Sequence, residues 1–172
     1  MRPDAQRLLA VLLNPPSISS GNRTLGAVRR VSDSLGCVDY EIANLFETSS
    51  PGLTALSSLE LEAEMPVAIQ RNVSDQLRQA SIVVAAWGVS APSKVFQQRR
   101  CRRASWVLQE ARRQGHEAVW MVGGAPRHPS RWHQYVADKH GRTTGGSFTQ
   151  RLSQVLEPTP IASLTGDLGF EP

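Results

Sequence analysis

The chain has 172 residues, room for one domain, and its 40% apolar content is that of a folded domain and excludes wholesale disorder. Its longest apolar runs, Leu8–Leu13 and Ile82–Trp87, fall far short of the roughly 20 residues a membrane helix needs. Two cysteines exclude a disulfide framework and a four-thiolate metal site, and the net charge of +4 is concentrated in residues 94–151, where ten Arg and two Lys face only Glu110, Glu117 and Asp138.

Leu8–Leu13 is a continuous apolar run and reads as a buried parallel strand. Asn22–Leu35 carries Leu25, Val28, Val31 and Leu35 at helical spacing. Asp39–Phe46 reads as the second strand, and Thr48–Glu60, rich in Ser, Pro and Gly, as a loop. Val67–Ala80 reads as a helix striped by Val67, Ile69, Val73 and Leu77. Ser81–Trp87 is the third strand. Phe96–Gln114 is a helix with Cys101, Ala104, Leu108 and Ala111 on one side and arginines on the other. Those arginines read either as a solvated helix face or as a surface for a polyanion, since the guanidinium fork suits phosphate. Ala118–Val122 is the fourth strand, Gly123–Arg131 a loop, and Phe148–Leu156 a last short helix. Residues 1–157 form one domain in this reading, and Pro158–Pro172 a loosely held tail.

Strands alternating with helices predict a three-layer α/β/α sandwich around a central, mainly parallel four-stranded sheet. In such sheets ligands bind beyond the carboxyl ends of the strands. Asn14-Pro15-Pro16-Ser17 follows the first strand, Asn44-Leu45-Phe46 closes the second, Trp87-Gly88 closes the third, and Arg127-His128-Pro129-Ser130-Arg131-Trp132 follows the fourth. No phosphate loop of the G-x-x-x-x-G-K type, no G-x-G-x-x-G and no G-x-S-x-G elbow is present, which weakens nucleoside-triphosphate, dinucleotide and α/β-hydrolase readings. The four His lack metal-ligand spacing.

This ordered set, from about residue 8 to 140, resembles the uracil-DNA glycosylase superfamily. The motifs are Asn14-Pro15 after strand one, Asn44 ending strand two and His128-Pro129-Ser130 after strand four. Leu13-Asn14-Pro15-Pro16-Ser17 with Asn22-Arg23 is most similar to the mismatch-specific thymine/uracil branch. The same run, with Ala86-Trp87-Gly88 and Arg127-His128-Pro129, also resembles a bacterial domain family of unassigned function.

The resemblance implies a monofunctional glycosylase that flips a modified or mismatched pyrimidine out of DNA and releases it with water. Asn14 matches the residue that orients the water; an amide cannot itself take the proton. His128 matches the donor to the departing base's carbonyl oxygen. Asn44 matches the residue that reads the base edge, while Phe46 or Trp87 would stack on the base. Ser17, Ser19 and Ser130 would hold phosphates, as would Arg23, Arg127, Arg131 and Arg142. Arg131 and Trp132 stand where the family inserts a side chain into the duplex. Lys94 and Lys139 match no motif, so a lyase step through a Schiff base is not expected. Branches with an iron–sulfur cluster need four Cys, so no cofactor and no metal are expected.

Where uracil-specific relatives place a Tyr that blocks 5-substituted pyrimidines, this chain has Pro16-Ser17-Ile18. A 5-substituted base is therefore the expected substrate, with defence against phage DNA as a role beside repair. A cytoplasmic monomer that binds DNA and no membrane is expected. The competing readings are a hydrolase of free nucleosides or nucleotides, and a non-catalytic nucleic-acid-binding module on the same fold.

Overall fold

The computed structural model describes residues 5–17, 21–49, 52–58, 62–136 and 145–164. Its centre is a five-stranded sheet ordered β2-β1-β3-β4-β5. β1 (Arg7–Leu12) lies between and parallel to β2 (Asp39–Asn44) and β3 (Ile82–Ala86), with Leu12 in register with Asn44 and Ala86. β3 pairs parallel with β4 (Ala118–Val122), whose other edge takes β5 (Leu156–Pro160) antiparallel.

Alternate residues of the sheet sort into two apolar layers, as the two-residue period requires. Leu8, Ala10 and Leu12 face α1 (Gly21–Ser34), which buries Ala27, Val28 and Val31 against them. Leu9, Val11 and Leu13 face the opposite layer. There α3 (Val67–Gln79) contributes Val73 and Leu77, and α4 (Lys94–Arg113) contributes Phe96, Ala104, Val107 and Leu108. The expected three-layer sandwich is the fold. α4 starts where Ser93 accepts a hydrogen bond from the Phe96 N–H at 3.2 Å, an N-cap at the end of a Ser/Pro-containing turn.

Three expectations need correction. The sheet has a fifth strand, and Pro158–Pro160 belongs to it, so the loosely held tail does not begin there. Two prolines speak against a strand in the sequence. At an edge, a proline's missing N–H deprives no neighbour, and this strand is an edge. Ile161 then begins the short α7 (Ile161–Leu164) and is buried; residues 165–172 lie outside the described residues. Next, the expected loop at 48–60 contains α2 (Leu53–Ser57), because Leu56 is buried in the core. A tertiary contact overrides the local turn composition.

The third correction concerns the arginines of α4. Arg100 and Arg103 are buried, at 5% and 4% exposure. Arg103 donates to the carbonyls of Leu45 at 2.7 Å, Glu62 at 2.7 Å and Glu64 at 3.0 Å, with its guanidinium 4.3 Å from the Phe46 ring centroid. Arg100 donates to the carbonyls of Val89 and Ser90. They are neither a solvated face nor a phosphate surface: they satisfy loop carbonyls that no strand partner reaches. Burial lowers the pKa of both.

No helix among the described residues is long and apolar enough to cross a membrane.

Candidate functional site

The chain leaves β1 and crosses α1 to reach β2 on one side; through α3 it returns to β3 on the other side of β1. The crevice outside β1 and β3 is thus the point where the strand order reverses, where open parallel sheets place their ligands. A cleft of about 1050 Å³ opens there. Leu13-Asn14-Pro15-Pro16-Ser17, Trp87-Gly88-Val89-Ser90, and residues 127–131 with 133–135 all line it, the turn at Pro129–Arg131 packing against α1.

Asn14 directs its amide NH2 to the carbonyl of Thr48 at 3.2 Å. A carbonyl only accepts, so this contact turns the amide and leaves Oδ1 as the acceptor pointed elsewhere. The segment behind it is tight. The Gly21 N–H donates to the Ser17 carbonyl at 2.6 Å, and a Cβ on Gly21 would stand 3.2 Å from Pro16 Cβ. α1 therefore begins pressed against the Pro15-Pro16 turn.

His128 lines the same cleft. It precedes a single 3-10 turn (Pro129–Arg131) and caps it with its own ring: Nδ1 accepts the Ser130 backbone N–H at 3.3 Å and lies 2.9 Å from Ser130 Oγ. A backbone N–H can only donate, so Nδ1 must be the acceptor nitrogen. The neutral ring then carries its proton on Nε2. Burial, and after it the neighbouring charge of Arg131, hold His128 below the ordinary histidine range. The neutral ring in this tautomer presents one N–H donor, on Nε2. Gly88 lies beside it: its φ of +84° is a conformation that favours glycine, and a Cβ there would be in ordinary contact with His128 Cβ at 3.6 Å.

Of the expected site residues, the cleft brings together Asn14, Pro15, Pro16, Ser17, Arg23, Trp87, Arg127, His128, Ser130 and Arg131. Three others do not enter it as expected. Phe46 is 1% exposed and stacks on Phe96, centroids 5.5 Å apart, under Arg103; it is core and cannot stack on a base. Trp132 is also 1% exposed, and its indole N–H donates to the Arg127 carbonyl at 2.7 Å. It ties the His128 loop down and cannot be pushed into a duplex. Asn44 ends β2 outside the cleft lining, with its Oδ1 buried and without a hydrogen-bond partner. Ser19 and Arg142 lie outside the described residues.

The cleft also contains residues that sequence reasoning missed. Arg30 comes from the second turn-pair of α1, Tyr135 from α5 (His133–Val136) and Phe148 from α6 (Phe148–Val155). For Arg30 there was a signal: Arg23, Gly26, Ala27 and Arg30 share one helical face. For Tyr135 and Phe148 there was none, because their position depends on how α5 packs on α6 and α6 on α1.

Residues 1–130 match a protein-family model described as "Protein of unknown function (DUF1643)". No curated protein matches the chain. No solved structure matches it either.

Proposed function

The chain belongs to the DUF1643 family of proteins of unknown function, and from that premise we propose that it is a monofunctional DNA glycosylase, releasing a modified or mismatched pyrimidine by water attack. The observation that carries this reading is that Asn14 and His128 line one cleft at the switch point of the sheet. Hydrolysis of an N-glycosidic bond proceeds through an oxocarbenium-like sugar. It needs a water held on one side of the anomeric carbon and a donor for the charge that grows on the departing base. Asn14, held by Thr48, offers an oriented oxygen to a water's hydrogen. His128, neutral and protonated on Nε2, offers a hydrogen bond to an anionic pyrimidine oxygen without transferring its proton. A flipped nucleotide, and the strand to either side of it, would pass the arginines that line the same cleft.

The substrate is proposed to be a 5-substituted pyrimidine, as carried by some viral genomes. The segment facing the cleft after Asn14 is Pro16-Ser17, with no aromatic ring to exclude a 5-substituent. Mass spectrometry of free bases released from a panel of natural and phage DNAs tests the activity. Asn14→Ala should lower release at least ~100-fold with DNA affinity nearly unchanged, because an interaction made in the chemical step affects turnover and not docking. Release of no base from any DNA by the intact protein would overturn the reading. Equal loss of binding and release in Asn14→Ala would make Asn14 a structural residue.

A further inference from the structure

Beyond Asn14 and His128 the cleft continues along α1, and four arginines enter it: Arg23, Arg30, Arg127 and Arg131. Among the described residues no aspartate or glutamate lines it and no ion pair engages any of the four. Cations gathered in a concavity repel one another and raise the local concentration of anions.

Two of the four are held on rings. The Arg30 guanidinium lies 5.1 Å from the centroid of Phe148, and that of Arg127 lies 3.9 Å from the centroid of Tyr135. An aromatic ring occupies the face of a guanidinium and leaves the N–H groups at its edge available. Arg127 Nε is buried and has no hydrogen-bond partner.

Spacing indicates what kind of anion fits. Arg23 and Arg30 are seven residues apart on one face of α1, two turns and about 10 Å along the axis. Gly26 and Ala27 lie between them, and a Cβ on Gly26 would meet nothing within 4 Å. Arg30 is held on Phe148. A single phosphate monoester does not fill a row of this length, whereas a strand with a phosphate at every nucleotide does.

We infer that the α1 side of the cleft and the rings facing it form a phosphodiester track, in which Arg30 on Phe148 and Arg127 on Tyr135 each take a backbone phosphate of the strand flanking the flipped nucleotide. The track rests on the reading of the cleft as a nucleic-acid site and does not require that a base be released.

Fluorescence anisotropy with a labelled 12-mer oligodeoxynucleotide, single-stranded and duplex, titrated over salt, tests it on the full chain. Arg30→Ala should weaken binding about tenfold at low salt and reduce the slope of log affinity against log salt by about 0.7–0.9, the loss of one phosphate contact. Phe148→Ala keeps the charge, so it should weaken binding about threefold with the slope unchanged. Arg78→Ala, on exposed α3, is the control and should change neither. Thermal melting by circular dichroism confirms that each variant folds. Wild-type affinity and slope in Arg30→Ala overturns the track. So does absence of 12-mer binding by the intact protein, or a 5′-mononucleotide bound as tightly as the 12-mer with the same dependence on Arg30. An Arg30-dependent slope without release of any base would leave the track standing and remove the glycosylase reading. Base release with Arg30→Ala indistinguishable from wild type in binding would do the reverse.

Discussion

The indole N–H of Trp132 donates to the main-chain carbonyl of Arg127 at 2.7 Å, closing the loop that presents His128. The bond makes a buried tryptophan the floor of the His128 wall and excludes it as an intercalating wedge. Trp132→Phe keeps most of the apolar packing and deletes the bond. Leaving the Arg127 carbonyl without that partner should cost about 1–3 kcal/mol of stability. It should lower kcat about tenfold with KM for DNA little changed, since the loop's mean position is retained and its precision is lost. Urea unfolding and steady-state kinetics read the two effects separately.

The charge of Arg131 bears on His128 and adds to the effect of burial in depressing its pKa. Both favour the neutral ring in the folded protein. The neutral form is therefore lost only as pH falls below the ordinary histidine range, and kcat against pH should have its acid limb there. Arg131→Ala removes the repelling cation, so His128 should take up its proton more readily and the acid limb should move to higher pH. A profile unmoved by Arg131→Ala would show that another group sets the limb.

Pro16 and Ser17 line the cleft just after Asn14 and carry no aromatic ring. Ser17→Tyr should reduce release of pyrimidines with bulky 5-substituents at least tenfold more than release of uracil, because the added ring competes with the substituent and leaves the unsubstituted edge untouched. Competition between paired oligonucleotides, followed by mass spectrometry, measures the ratio. A wild-type protein that releases uracil and ignores every 5-substituted base overturns the open gate.

Arg103 joins the end of β2 to the segment at Glu62–Glu64 and roofs Phe46. Arg103→Lys keeps the charge but cannot fork to three carbonyls, and it should destabilise the fold by about 2–4 kcal/mol in urea unfolding. The neighbouring exposed Arg102→Ala should stay within about 0.5 kcal/mol, since its contact with Glu64 is long and solvent-exposed. Equal effects of the two would mean that Arg103 is not the clamp its bonds describe.

The strand–helix alternation was legible residue by residue. Leu8–Leu13, Ile82–Trp87 and Ala118–Val122 are apolar runs of strand length, and with Asp39–Phe46 they alternate with amphipathic helices, which leaves few arrangements open. From that order alone Asn14, Trp87 and His128 fall at strand ends on one edge. Their convergence on one cleft depends on the strand order β2-β1-β3-β4, which local pattern does not contain. Pro158 and Pro160 hid β5, because proline's cost depends on whether a strand is central or at an edge, and only the assembled sheet says which. Phe46, Trp132, Arg100 and Arg103 carry groups suited equally to a ligand or to a core. Only the packing around them decided which, by supplying carbonyls for the guanidiniums and the indole and a partner ring for Phe46. The aromatic seats of Arg30 and Arg127 belong to the same class: a cation and a ring more than 100 residues apart, or on two loosely patterned turns, meet because α1, α5 and α6 bury one shared apolar layer.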